Sequence, residues 1–219
     1  MISFLLAALT HHAACAGLPL TQGASWSYHA AVSWTPAGAT APRDSVFTWV
    51  TTVISAVRND SVVVAAVRNW PMALAWWEPS RQPVRSLIVC RAGQVYHVAP
   101  PAGPADAYRD ALLLGAATPD RADFVLELPL RVGALLGRDL TSRADALYAW
   151  TVESAAPVEP RLRALAATAA ESSYTVARRT LSDHQLVDFV LGLGVTRYQY
   201  THHGVESAVD AVLIAYRAP

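Results

Sequence analysis

Histidine, tryptophan and the carboxylates are the side chains of this 219-residue chain whose types and spacing could carry chemistry. His202 and His203 are adjacent, and adjacent residues of a strand point to opposite faces, so the two cannot simply share one metal ion. A ligand set would need His29 or His184 brought near, and general-base chemistry would need an acidic partner close to one of the pair. The plain alternative is a histidine pair at a strand edge beside a Gly204 turn; His202, His203 and Gly204 are taken together as a candidate functional turn. Trp70, Trp76 and Trp77 put three large rings within eight residues, more than one inner sheet face accommodates. In a strand Trp76 and Trp77 face opposite ways, so one of the three is free to line a cleft or meet a partner, core packing being the alternative. Asp106, Asp110, Asp120, Asp123, Glu127 and Asp139 are spread as on a solvated surface and form no evident acid/base pair. The chain has no Gly-x-Ser-x-Gly elbow, no phosphate loop with Lys, no His-Glu-x-x-His and no Cys-x-x-Cys, so no catalytic residue, no metal site and no cofactor is nominated.

These residues sit in a chain that reads as mainly β. Trp26, Tyr28, Ala30, Val32 and Trp34 alternate with polar or small residues, the period of a strand with an inward aromatic face. Phe47, Trp49, Thr51 and Val53 share one side of the next run, and Asn59-Asp60 separates it from the β-branched run 61–67 as a hairpin. The stretch 70–77 reads as an edge strand beginning at Pro71, and Arg91-Ala92-Gly93 as a tight hairpin between 84–90 and 94–98. A short helix is expected within 105–115 and a helical turn or two within 161–170. The run 124–133, interrupted by Pro129, reads as a crossing loop, and 146–154, apolar on both faces, as a strand near the middle of a sheet. Strands follow from Tyr174, over 186–193, over 195–200 and over 207–216, with Gly192 and Gly194 framing one turn. About nine to eleven strands in a single domain imply one curved antiparallel sheet, a half-barrel or barrel with one or two short helices, because curling buries an inner face and hides edges.

Composition narrows the function classes. Lys+Arg and Asp+Glu balance at 17 each, every fixed cation is Arg, and 53% of residues are hydrophobic, which excludes disorder and a nucleic-acid binder working through net positive charge. The two cysteines lie in different contexts. Cys15 ends an uncharged segment whose apolar run 2–9 is too short to span a bilayer but suits the core of an export signal. Cys90 lies in a β-branched run.

Ala13-Ala14-Cys15 resembles the lipobox of bacterial lipoproteins, with His12 where that pattern has an aliphatic residue and no Lys or Arg near Met1. The resemblance implies a signal peptide over 1–14, palmitate-type acylation of Cys15, a short tether over 15–22 and a β domain over 23–219. Cleaved export without lipid, or an apolar tail on a cytoplasmic protein, are the other readings; a Cys15–Cys90 disulfide is the alternative for the sulfurs.

Phe189-Val-Leu-Gly-Leu-Gly-Val195 followed by Arg197-Tyr-Gln-Tyr-Thr-His-His-Gly204, with Leu128-Pro-Leu-Arg-Val-Gly133 and Trp26-Ser-Tyr28 upstream, resembles a class of uncharacterised bacterial lipoproteins. Leu191 stands where such proteins often have Pro. By fold analogy the broader likeness is to lipoprotein-carrier half-barrels, which hold apolar ligands in a concave face. What this implies is an extracytoplasmic, membrane-anchored protein that binds an apolar small molecule or an envelope protein without catalysis, its oligomeric state open. A structural or assembly role, and an envelope hydrolase with a site assembled from distant residues such as His203 and an acid, are the alternatives.

Overall fold

Pattern and turn chemistry wind this chain into one long antiparallel ladder. The computed structural model describes residues 15, 17–36, 38–78, 83–100, 105–120, 123–136, 147–165, 170–203 and 207–219. The expected signal segment 1–14 and Gly204 lie outside them. The strands are β1 (Ser25–Trp34), β2 (Arg43–Arg58), β3 (Val62–Arg68), β4 (Arg85–Arg91), β5 (Gln94–Val98), β6 (Phe124–Glu127), β7 (Leu135–Leu136), β8 (Trp150–Pro157), β9 (Ser172–Arg179), β10 (Asp183–Val190), β11 (Gly194–His202) and β12 (Ser207–Arg217). They form one 12-stranded sheet in the order β6-β5-β4-β3-β2-β1-β12-β11-β10-β9-β8-β7. The sheet curls into a nearly closed barrel. At its seam, between β6 and β7, the Trp150 indole N–H donates across to the Phe124 carbonyl at 2.9 Å, so a side chain bridges where the ladder does not.

Period-two alternation decides which residues fill the barrel. Trp26, Tyr28, Ala30 and Val32 of β1, Trp49 and Val53 of β2, and Tyr198 and Tyr200 of β11 are buried in one core, as the aromatic alternation of the first strand predicts. Two buried polar tips are satisfied within it: the Trp26 indole donates to the Leu193 carbonyl at 2.7 Å and the Tyr28 hydroxyl to the Val195 carbonyl at 2.9 Å. Burial without a nearby charge pushes the Tyr28 phenol far above its ordinary range, so it acts only as a neutral donor. Helix α1 (Ala105–Leu114) lies on the outside, where Leu112 joins Val62, Val64, Leu87, Val89 and Val98 in a second cluster. Helix α2 (Pro160–Leu165) buries Leu162 against the main core.

The hairpin at Arg91 has a two-residue loop, Ala92 at φ 51° and Gly93 at φ 87°, flanked by the Arg91–Gln94 pair. Positive φ at both positions is the turn that matches strand twist, and it suits Asn at the first position far better than Ala, whose Cβ is crowded there. Ala92→Asn is therefore expected to stabilise the protein by about 0.5–1 kcal/mol, read as a rise of a few degrees in the thermal midpoint.

Three element expectations are corrected. Residues 70–77 are not an edge strand but a 3-10 helix, Pro71–Trp76. The run 124–133 is not wholly a crossing loop: Phe124–Glu127 is the terminal strand β6, and only the part from cis-Pro129 onward, which cannot continue the ladder, leaves the sheet. The strand expected mid-sheet over 146–154 is β8, next to the last strand, because Tyr148 at φ 69° turns the chain and the apolar Trp150 serves the seam. The two-residue β7 is too short to leave a pattern in sequence.

Cys15 and Cys90 are joined by a disulfide with a Cα–Cα distance of 5.9 Å, spanning 75 residues of chain. This is the alternative to lipidation: a sulfur in that bond cannot also hold a thioether to diacylglycerol. In the segment expected as a tether, Cys15 and Leu20 lie in the core and form a plug. Gly192 N–H donates to the Gly17 carbonyl at 2.8 Å and Gly23 N–H to the Val53 carbonyl at 3.0 Å, so the plug is tied to β2 and to the β10–β11 turn.

Candidate functional site: an aromatic groove at the barrel mouth

The 3-10 helix leaves β3 and packs against β11 and β12, crossing the barrel mouth opposite the N-terminal plug. Its start follows from Pro71, which has no N–H to lose at a first helical position, and the Ala73 N–H closes the first turn onto the Trp70 carbonyl at 2.9 Å. A repeat of three residues stacks Pro71, Leu74 and Trp77 on the inner side: Pro71 and Leu74 are buried, and Trp77 packs edge-on to Trp34 at 4.6 Å and stacks on Phe47 at 5.0 Å. Trp76 falls on the outer side and is 68% exposed.

The opposite wall comes from β10 and β11. Alternation places Tyr198, Tyr200 and His202 on the same face of β11. The Tyr200 hydroxyl donates to Asp183 Oδ1 at 2.8 Å, while the Ser182 and Thr180 hydroxyls donate to Asp183 Oδ2 at 3.1 and 3.2 Å. Burial alone would raise the Asp183 carboxyl, but these three hydrogen bonds, with the neighbouring His202, outweigh it and hold the group below its usual range. Burial and the hydrogen bond to Asp183 push the Tyr200 phenol well up.

Trp34, Thr35, Trp76, Trp77, Glu78, Tyr200, His202 and Ser207 border a groove of about 200 Å³ open to solvent. The Trp76 and Tyr200 ring centroids are 6.2 Å apart. Ser207 lies opposite His202 in the β11–β12 register, and Asp183 lies behind, so the groove holds the residue types of a Ser-His-Asp relay. The geometry is not that of a relay. His202 Nε2 is 3.7 Å from Asp183 Oδ1, beyond hydrogen-bond range, and Nδ1 has no hydrogen-bond partner. What is assembled is an exposed indole beside polar groups, which suits recognition of a ligand with one apolar face.

Of the residues singled out from sequence, Trp76, Trp77 and His202 meet in this groove. Trp70 does not: its ring faces the barrel interior, 6.4 Å from that of His97. His203 is exposed, its N–H donating to the Ser182 carbonyl at 2.6 Å, and Gly204 lies outside the described residues. Cys15 is in the disulfide at the other end. Trp34, Tyr200 and Asp183 were not nominated; the period-two series Tyr198, Tyr200, His202 was the signal that tied Tyr200 to the histidine. Among the described residues no group of three or more His, Cys, Asp or Glu is arranged to hold a metal ion.

Among the described residues, Leu20, Trp26, Trp70, His97 and Phe189 border an apolar space of about 30 Å³, room for about two water molecules.

No protein-family model matches this chain, and no curated protein matches it. Two solved structures resemble it at low similarity. One is a Bacteroides fragilis chain assigned as an exported protein with a YmcC-like fold: TM-score 0.40, 12% identity, covering 91% of this chain and 98% of that one. The other is a Parabacteroides distasonis chain assigned as a lipoprotein: TM-score 0.35, 10% identity, covering 92% and 98%.

Proposed function

We propose that this protein is an extracytoplasmic, non-catalytic binding protein that takes its ligand in the aromatic groove at the barrel mouth. The observation that carries the reading is Trp76: an indole 68% exposed on a 3-10 turn, beside a concave groove, while the other large rings among the described residues are buried wholly or in part. An exposed large apolar side chain at a cleft keeps a surface ready for a partner without the cost of ordering it first. The extracytoplasmic location is supported by the Cys15–Cys90 disulfide, a bond that persists in oxidising compartments, and by the apolar segment that precedes it.

Trp76→Ala tests the reading through two measurements. Because the ring is exposed, the thermal midpoint is expected to stay within about 0.5 kcal/mol equivalent of the parent, while quenching of tryptophan fluorescence by groove ligands is lost. A fall in stability of several kcal/mol would instead make Trp76 a structural residue and remove the basis for the groove. A hydrolase reading rests on the nearness of Ser207, His202 and Asp183. Ester turnover that disappears in Ser207→Ala would replace the non-catalytic reading with it.

A further inference from the structure

Resting on the groove reading above, we infer that the partner taken at this site is a second copy of the chain, the Trp76 indole of each copy seated in the groove of the other about a twofold axis. Knob and hole belong to one patch: the Trp76 ring, 68% exposed, stands at the rim of the groove, its centroid 6.2 Å from that of Tyr200 on the opposite wall. A projecting ring next to a cavity is self-complementary under a twofold rotation, so the contact closes at two copies. A knob and a hole on separate surfaces would propagate into a filament instead. Size and character fit the same occupant. At about 200 Å³ the groove falls short of the roughly 300–1,000 Å³ that encloses a small-molecule ligand, and it suits one large side chain. Several of its polar groups are already engaged within the chain: the Tyr200 hydroxyl donates to Asp183, and Thr35 and Glu78 have interactions of their own. An apolar ring entering the groove leaves these interactions in place. The apolar surface also extends past Trp76. Leu181, 75% exposed, tips the turn between β9 and β10, whose Ser182 carbonyl accepts the His203 N–H and whose Asp183 pairs with His202, so it stands at the same end of the barrel. Cations and anions are equal at 17 each, so two copies approach without net repulsion.

The test is sedimentation velocity of the full chain from about 5 µM to 1 mM. A contact built on two rings and two leucines lies at the low end of specific interfaces, so the expected result is a dimer with a dissociation constant of about 10–500 µM and no larger species. Trp76→Ala removes the knob, and Ser207→Arg fills the hole while leaving the knob in place. Each is expected to raise the dissociation constant about tenfold or more, with circular dichroism showing that both variants fold. A parallel titration with the apolar dye bis-ANS at about 1 µM protein, where the monomer prevails, separates this proposal from the groove reading beneath it. A monomer at every concentration, with dye binding that depends on Trp76, overturns the second copy and leaves the groove as the site of a different partner. A monomer without Trp76-dependent dye binding overturns both. A dimer that Trp76→Ala does not weaken overturns the groove as its interface, and one that Trp76→Ala weakens but Ser207→Arg does not overturns the reciprocal seating.

Discussion

Opening the Cys15–Cys90 bond, by reductant or by Cys90→Ala, is expected to lower the thermal midpoint by about 10 °C. The bond closes a loop of 75 residues, and removing the entropy of such a loop from the unfolded chain is worth about 4 kcal/mol in the chain-entropy description. For a domain of this length each kcal/mol moves the midpoint by roughly 2–4 °C. The loss has a local component as well, since the bond holds the plug whose Leu18 and Leu20 lie against the core. Thermal unfolding followed by circular dichroism, with and without reductant, measures it; equal midpoints would mean that the plug docks without its covalent tie. The intact mass of the mature chain without reductant gives the companion result. A chain retaining Cys15, two hydrogens lighter than its reduced form, is the expected species, whereas diacylglycerol on Cys15 would place the protein on a membrane surface and leave Cys90 a buried thiol.

The curved antiparallel sheet was legible because several of its strands show the two-residue period plainly. Trp26 to Val32, Trp49 to Val53 and Tyr198 to His202 each declare an inner face, and Asn59, Ala92-Gly93 and Gly192 mark the turns between strands. What pattern could not supply was the long-range placement of short irregular pieces. The run 70–77 carries aromatic residues suited to a strand, yet Pro71 and the three-residue spacing to Leu74 and Trp77 define a 3-10 turn, and that change of period swings Trp76 into solvent and Trp70 into the core. Asp183 was invisible as a site residue because its role arises from register: it pairs with His202 across β10 and β11, and the folded ladder brings Tyr200 to the carboxylate that the neighbouring Thr180 and Ser182 hydroxyls already meet. The sulfurs were ambiguous for a different reason. Two cysteines and a tail fit both a lipobox and a disulfide, and the choice depends on whether residue 15 can reach β4, which no local pattern encodes.

Acid weakening through His97 is the second large effect expected. Cross-strand to Ile88, its imidazole faces the apolar space lined by Trp70, Val95 and Leu126, and Nε2 has neither solvent nor a hydrogen-bond partner. Burial lowers its pKa to about 4 from 6.5, because a protonated ring would sit among groups that cannot solvate it. Below pH 6.5 the unfolded chain takes up a proton that the folded chain refuses until about pH 4, so stability is complete above the first value and declines as pH falls toward the second. The full shift is equivalent to about 3 kcal/mol; part of the residue reaches solvent, which reduces the expected loss to about 2 kcal/mol. Asp183 acts lower on the scale: its depressed carboxyl contributes stability above the ordinary carboxylate range, lost only as pH falls through its folded value. His184 is also depressed, by burial first and then by Arg179, against the pull of Glu153, so a residual slope persists when His97 is replaced. In urea titrations between about pH 4 and 7.5, His97→Leu is expected to match or exceed the parent at neutral pH, since it removes an unpaired buried nitrogen, and to exceed it by about 2 kcal/mol more near pH 4. Parallel curves for the two proteins would show that His97 takes up its proton inside the folded barrel at no cost, and the interior around Trp70 would then have to admit water.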